Sequence, residues 1–206
     1  MGMIRAVVFD IGGVLEKVDD ASGVRERSRL RTGLTEAEFE ARRASVDPDD
    51  LMITGGMDEA TYRRRYADAF GWDDATADAF LADFWDWYCG ELDTELADFL
   101  RDLRPAYRTG ILSNSCDGAR REEQARYAFP DLVHELVYSH EIGLAKPDPR
   151  AYLLTCRRLG VEPQEAVFLA DSPLCVEGAR AVGMHAMVHL DTPTSIAAVT
   201  ALLERR

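Results

Sequence analysis

The spacing of apolar and polar positions changes several times along the chain, and each change predicts an element. The segment from Ile4 to Leu15 opens with the apolar run Ala6-Val7-Val8-Phe9, meets an acid at Asp10 and breaks into Gly12-Gly13. A short apolar run closed by a glycine turn predicts a buried strand with Asp10 at its carboxyl end. The pattern then turns helical and polar, and no second strand-like run comes before Tyr107–Ser113. In between, Tyr62, Tyr66, Ala69 and Phe70 share one helical face, and Phe80, Phe84, Trp87 and Tyr88 share another. Gly55-Gly56 and Gly71 punctuate these segments. The interval is too long for a simple crossover. Residues 16–90 are therefore expected to form an inserted helical domain, and residues 1–15 with 91–206 the domain it interrupts.

Beyond Glu91 helix and strand patterns alternate. Leu92, Leu96, Phe99, Leu100 and Leu103 make a helical stripe before the strand that ends at Ser113. Residues 117–128 read as a helix and Leu136–Tyr138 as a short strand. Asp148-Pro149 is a helix cap followed by a first-turn proline, and Gly160 stops that helix. Ala166–Ala170 reads as a buried strand, 173–182 as a helix, His185–His189 as a strand and 193–205 as a closing helix. Such alternation predicts an α/β fold with a doubly wound parallel sheet, here carrying a small helical insertion. No internal repeat or low-complexity tract interrupts it.

Composition narrows the functions. The chain has 206 residues, 47% of them hydrophobic, with 24 Lys and Arg against 37 Asp and Glu for a net charge of −13. That surface repels polyphosphate backbones, so nucleic acid is not expected as a partner, although a small anion can still bind where a lysine and backbone N–H groups converge. Cys89, Cys116, Cys156 and Cys175 lack metal-finger spacing and suit free thiols in a reducing compartment. The first apolar run is too short for a signal peptide or a membrane span, and Met1-Gly2 is followed by Ala6 where a myristoylation signal has Ser or Thr. A cytoplasmic protein with no membrane partner is expected, as a monomer or a homodimer. The aromatic stretch Phe80–Tyr88 is expected to be chiefly core, with a substrate wall as the alternative. Arg63-Arg64-Arg65 is expected to be a solvated helix face. His134, His140, His185 and His189 form no ligand pattern.

Three polar residues fall at the carboxyl ends of predicted strands: Asp10, Ser113 and Asp171. In a doubly wound sheet those ends share the edge where ligands bind. Lys146 lies in the loop Gly143-Leu144-Ala145-Lys146-Pro147-Asp148, just before a helix. Together the four offer a nucleophile, a hydroxyl donor, a cation and a metal-binding carboxylate.

These segments resemble the motifs of the haloacid dehalogenase superfamily, in order and spacing: Phe9-Asp10-Ile11-Gly12-Gly13-Val14-Leu15, Leu112-Ser113-Asn114, Leu144-Ala145-Lys146-Pro147, and Phe168-Leu169-Ala170-Asp171-Ser172 through Gly178-Ala179-Arg180. The resemblance covers the core, with the cap inserted between the first and second motifs. It implies a phosphatase-type hydrolase in which Asp10 attacks phosphorus to form an aspartyl-phosphate that water hydrolyses. It further implies that Lys146 neutralises the phosphoryl oxygens and Asp10, that Ser113 and the backbone around Asn114 bind the substrate, and that Asp10, the Gly12 carbonyl and Asp171 hold Mg²⁺. The substrate so implied is a small phosphorylated metabolite, a sugar phosphate or similar.

Two positions depart from the superfamily pattern. Gly12 stands where phosphatases of this type carry a general acid, whose contribution is about 10²- to 10⁴-fold. Leaving groups that depart without protonation, such as anomeric, aryl or acyl oxygens, should suffer least. Cys175 stands where relatives often carry a further Asp or Asn, and a thiol is a poor partner for Mg²⁺; Ser172 or Glu177 is the candidate replacement. Two alternatives stay open: a catalytically impaired binding or regulatory protein, supported by those two departures, and a 2-haloacid dehalogenase, suited by Asn114, Lys146 and the absent acid but opposed by Asp171. Glu16, Lys17 and Asp19 are the candidate substrate-wall residues that follow the catalytic turn.

Overall fold

The computed structural model describes residues 3–18 and 23–204; Met1, Gly2 and Asp19, on which expectations fell, lie outside them. The strands are β1 (Ala6–Phe9), β2 (Glu16–Lys17), β3 (Glu91–Leu92), β4 (Arg108–Ser113), β5 (Glu135–Tyr138), β6 (Ala166–Ala170) and β7 (His185–Val188). The helices between β2 and β3 are α1 (Val24–Thr32), α2 (Glu36–Val46), α3 (Glu59–Phe70) and α4 (Asp74–Cys89). Those that follow are α5 (Thr94–Asp102), α6 (Ala119–Tyr127), α7 (Phe129–Leu132), α8 (Ser139–Ile142), α9 (Pro149–Leu159), α10 (Pro173–Ala181) and α11 (Thr192–Leu203).

Five strands form a parallel sheet in the order β5-β4-β1-β6-β7. Because successive side chains of a strand point to opposite faces, a strand apolar at every position must be covered on both. Val7, Phe9, Ile111, Val167 and Leu169 pack on one face beneath Leu96 and Leu100 of α5, Phe129 of α7 and Val199 of α11. Ala6, Val8, Leu112, Val137 and Phe168 pack on the other beneath Tyr152, Cys156 and Leu159 of α9 and Val176 and Ala179 of α10. The doubly wound parallel sheet predicted from the alternation is the fold of this chain, and the inserted helices form a cap over it.

The order also explains the site. From the central β1 the chain moves outward through β4 and β5, then returns to the other side of β1 for β6 and β7. The direction of winding switches at β1, and a crevice opens at its carboxyl end. Phe9 is in register with Ile111 of β4 and Leu169 of β6. Asp10 is thus level with Leu112 and Ala170, and Ser113 and Asp171 lie one residue beyond it on either side.

The cap helices have a core of their own, in which Phe39 and Val46 of α2 meet Tyr66 and Phe70 of α3 and Phe80 of α4. Met52, Met57 and Trp85 instead join the core of the sheet domain. Polar contacts key the cap to α6 and the turn before it: the Glu59 backbone N–H donates to Asp117 Oδ2 at 2.9 Å, and the Glu59 carboxylate pairs with Arg121 of α6 at 2.8 Å. The arginine triplet is only partly a solvated face. Arg63 pairs with Asp78 at 2.6 Å and with Asp74 at 3.1 Å, and Arg65 donates to the Val46 carbonyl at 3.0 Å.

At the base of the cap the structure differs from the continuous helical pattern read after Leu15. Glu16 and Lys17 pair antiparallel with Leu92 and Glu91. Two residues are too few to display an alternation, so this ribbon left no periodic signal. A Cβ at Gly90 would lie 2.5 Å from the Lys17 carbonyl oxygen, which is why the chain re-enters the core through a glycine.

Asp93 fastens this junction. Its carboxylate caps α5 by accepting from the Leu96 N–H at 3.0 Å, accepts from the Thr192 hydroxyl at the start of α11, and pairs with Lys17 at 3.0 Å. Burial raises its pKa, but those three donors outweigh burial and hold the carboxyl below its ordinary value. A depressed carboxylate contributes stability that is present above its unfolded pKa and lost as pH falls through its folded one. Asp93→Ala is therefore expected to cost about 1–3 kcal/mol at pH 7. The deficit should shrink below about pH 4, which denaturant melts across pH will read.

Candidate active site

Asp10 leaves β1 nearly buried, at 7% exposure, and its backbone N–H continues the ladder to the Leu169 carbonyl at 2.8 Å. Its Oδ1 accepts from the Ile11 N–H at 2.9 Å and pairs with Lys146 Nζ at 2.5 Å, while Oδ2 takes no hydrogen bond among the described residues. Burial pushes the Asp10 carboxyl above its usual range; Lys146 and the Ile11 N–H pull it back, and Asp171 adds to the rise. The Lys146 side chain is itself buried, and a cation in that position needs compensation. Its Nζ also donates to the Leu112 carbonyl at 2.7 Å and lies 5.5 Å from the centre of the Phe168 ring. One buried ammonium thus ties the Asp10 turn to β4.

Asn114 holds the lysine in place. Its Oδ1 accepts from the Lys146 N–H at 2.8 Å and its Nδ2 donates to the Lys146 carbonyl at 2.9 Å. With both ends of its amide committed to the loop, Asn114 has its backbone N–H left to face a ligand. That group and the Gly12 N–H have no acceptor among the described residues. Ser113 is buried at the same cavity, its hydroxyl without a hydrogen-bond partner among the described residues.

Asp171 closes the opposite side and is exposed. A Cβ on Gly13 would lie 2.5 Å from its Oδ2, and Gly13 has a φ of +71°, so the glycine both makes the turn and leaves room for the carboxylate. Asp10, Gly12, Gly13, Ser113, Asn114, Lys146 and Asp171 line one cavity of about 540 Å³. The four residues singled out from the ends of the strand patterns and the loop before α9 are therefore brought together. A larger cavity, about 910 Å³, opens at the amino ends of the strands around Arg5, Arg108 and His134 and shares no residue with the first.

The wall expected after the catalytic turn is divided. Glu16 lines the cavity, whereas Lys17 turns away to Asp93. Glu16 is 1% exposed; burial, reinforced by Glu123, pushes its carboxyl well above the usual range, and its Oε1 is sealed from solvent without a hydrogen bond. Cys175 also lines the cavity, and burial raises the pKa of its thiol, which disfavours the thiolate. Ser172 lines the cavity too, its hydroxyl capping α10, whereas Glu177 is absent from the lining. Missed from sequence were Val18, Leu174 and the placement of Trp87 and Tyr88 at this cavity. The aromatic spacing held the only signal for the last two: Phe80 and Trp85 are core, but Trp87 and Tyr88 face this cavity. Among the described residues no cluster of three His, Cys, Asp or Glu side chains is arranged to hold a metal. The oxygens that could bind a cation are those of Asp10, Asp171 and the Gly12 carbonyl.

A carboxylate with a free oxygen, a buried cation and unengaged backbone N–H groups at the switch point of a capped parallel sheet define a hydrolase-type site. The chain belongs to the haloacid dehalogenase-like hydrolases, whose family model matches residues 4–183. It is 34% identical over 79 residues to a glyceraldehyde 3-phosphate phosphatase of Methanopyrus kandleri, a match covering 38% of this chain and 34% of that protein. It is 32% identical over 79 residues to (S)-2-haloacid dehalogenase 1 of a Pseudomonas species, covering 38% and 35%. The matched segments thus span about a third of the length of these relatives. A HAD family enzyme of Bacteroides thetaiotaomicron, solved in complex with magnesium and inorganic phosphate, shares the fold with a TM-score of 0.75 at 22% identity, over 91% of this chain and 94% of that one.

Proposed function

We propose that this protein is a Mg²⁺-dependent phosphatase of small phosphorylated metabolites, with residues 1–15 and 91–206 as catalytic core and 16–90 as cap. The observation that carries this reading is the Asp171 carboxylate set against the Gly13 turn beside the Asp10–Lys146 pair. Two carboxylates beside one cation leave an excess of negative charge, which would repel a haloacid anion but suits a divalent cation. The donor set is all oxygen, as a hard ion requires, and with two carboxylates and a carbonyl Mg²⁺ would keep several waters. Asp10, the Gly12 carbonyl and Asp171 would hold it, and it would supply charge neutralisation at the phosphoryl oxygens.

In this mechanism Asp10 Oδ2 attacks phosphorus and the bond to the leaving oxygen breaks, giving an aspartyl-phosphate. Water then attacks that phosphorus, releasing inorganic phosphate and restoring the carboxylate. Lys146, the Ser113 hydroxyl and the N–H groups of Gly12 and Asn114 stabilise the phosphoryl oxygens, so catalysis is largely positioning and electrostatics. The phosphatase among the relatives and the magnesium and phosphate of the Bacteroides enzyme support the reading. The four cysteines are unbonded and buried, which supports a cytoplasmic setting, and no described helix is long and apolar enough to cross a membrane.

Phosphate release from acyl, sugar and aryl phosphates, with Mg²⁺ and with EDTA, tests the reading. Metal-dependent release is the expected result; halide release from 2-haloacids without metal would replace it. The same assay tests Gly12. A Cβ there meets nothing within 4 Å and the backbone is not left-handed, so Gly12→Asp is accommodated. It should speed alkyl phosphates by up to about 10²-fold and p-nitrophenyl phosphate by less than about threefold, since nitrophenolate needs little protonation to leave. Equal gains on both would show that the absent acid is not limiting.

A further inference from the structure

The catalytic cavity adjoins a second one. Trp87, Tyr88 and Asn114 line both, and the second, about 490 Å³, lies between cap helices α2, α3 and α4 and the loop after β4. Its walls include Tyr62, Tyr66 and Phe84 as well as Trp87 and Tyr88. These rings form a connected array, with Phe84 centred 5.9 Å from Tyr62, 6.1 Å from Trp87 and 5.7 Å from Tyr88. Phe80 and Trp85 of the same helix are buried, but Tyr62, Phe84, Trp87 and Tyr88 are only half-buried, so they keep ring surface that the cap and core do not cover.

Several polar groups around this chamber are engaged within the protein. Both Asp47 carboxylate oxygens accept backbone N–H groups, from Leu51 and Met52, at 2.8 and 2.9 Å. The Ser115 hydroxyl bonds His140 Nδ1 at 3.0 Å, and Arg43 Nε donates to Glu40 at 2.9 Å. A planar ring would meet ring faces and edges there.

An independent observation points the same way. Gly12 carries no side chain to protonate a leaving oxygen. A phenol, with a pKa of about 10 by analogy with tyrosine, leaves as its anion far more readily than a hydroxyl resembling that of water, at about 15.7.

We propose that this chamber selects monoesters of aromatic alcohols, with the aryl ring against Trp87 and Tyr88 and the phosphoryl group at Asp10. The proposal rests on the phosphatase reading and deepens it. As Asp10 Oδ2 bonds to phosphorus, the bond from phosphorus to the aryl oxygen breaks and its electron pair leaves on the phenolate, which takes a proton from water. A second water attacks the aspartyl-phosphate, giving inorganic phosphate and a proton and restoring the carboxylate.

The test compares phenyl phosphate with acetyl phosphate, which has a better leaving group and no ring, in wild type, Trp87→Ala and Trp87→Phe with Mg²⁺. Trp87→Ala should lower kcat/KM for phenyl phosphate about tenfold more than for acetyl phosphate, chiefly through KM. Trp87→Phe, which keeps a ring, should restore most of that difference. Equal losses on both substrates, or no loss on either, overturn the aryl chamber. If no substrate releases phosphate, the phosphatase reading fails separately, and calorimetry with phenylphosphonate and methylphosphonate decides the chamber. Tighter binding of phenylphosphonate that is lost in Trp87→Ala and kept in Trp87→Phe sustains it; equal binding, or none, overturns it.

Discussion

Asp10→Asn is expected to lower phosphate release on the order of 10⁴-fold or more while leaving the protein folded. The amide has nearly the shape of the carboxylate but lacks a nucleophilic oxygen anion. The fold persists because the amide oxygen can still accept from Lys146 Nζ and the Ile11 N–H, the two donors that Oδ1 serves now. The cost in stability should stay below the roughly 3–5 kcal/mol of an orphaned buried ion. Burial already disfavours the ionised carboxyl, so the amide relieves one desolvation while it weakens one pairing. Steady-state kinetics and a thermal melt on one preparation read both parts. Activity within about tenfold of wild type in a clean preparation would remove Asp10 from the nucleophile's role.

Lys146→Met is expected to reduce kcat by about 10²- to 10³-fold, the range for losing one preorganised electrostatic group at a transition state. Methionine fills much of the same volume and keeps an apolar stem beside Phe168, so packing is largely conserved. What disappears is the cation that compensates Asp10 and bridges it to the Leu112 carbonyl. Lys146→Arg should not restore full activity, because a planar guanidinium cannot take the place of a compact ammonium in so tight a site. A loss below about threefold in a folded Lys146→Met would make the lysine a structural partner of Asp10 and nothing more.

Much of the site was legible before any coordinates. Asp10, Ser113 and Asp171 are the polar residues at or just past the ends of three apolar runs, and a parallel sheet places such ends along one edge whatever the lengths of chain between them. The helix carrying Tyr152 was readable from the cap Asp148, Pro149 and Gly160, because those residues meet local backbone requirements. The β2–β3 ribbon was not readable. It has two residues on each side, drawn from positions more than seventy apart, and only the docking of the cap brings them together. Asn114 was read for the backbone N–H groups around it; that its side-chain amide holds Lys146 was not legible, because the partner is supplied by a loop more than thirty residues away.

The stretch from Phe80 to Tyr88 draws the dividing line most clearly. Helical spacing in the sequence put its rings on the faces of one helix and assigned them chiefly to the core. Which rings became core was decided by what lies opposite: Phe80 joins Phe39 and Tyr66 within the cap, and Trp85 packs into the core of the sheet domain with Arg121 of α6 over its ring, while Trp87 and Tyr88 face a space left between two bodies. By itself the sequence determined the main elements, the doubly wound class of the sheet and the edge at which its acids gather, because these follow from periodicities and turn chemistry within short stretches of chain. The depth of Asp10, its pairing with Lys146, the burial of Glu16 and the aromatic chamber were decided only by tertiary structure. Burial and cavity shape are set by the distant surfaces that close over a residue, and no local pattern encodes them.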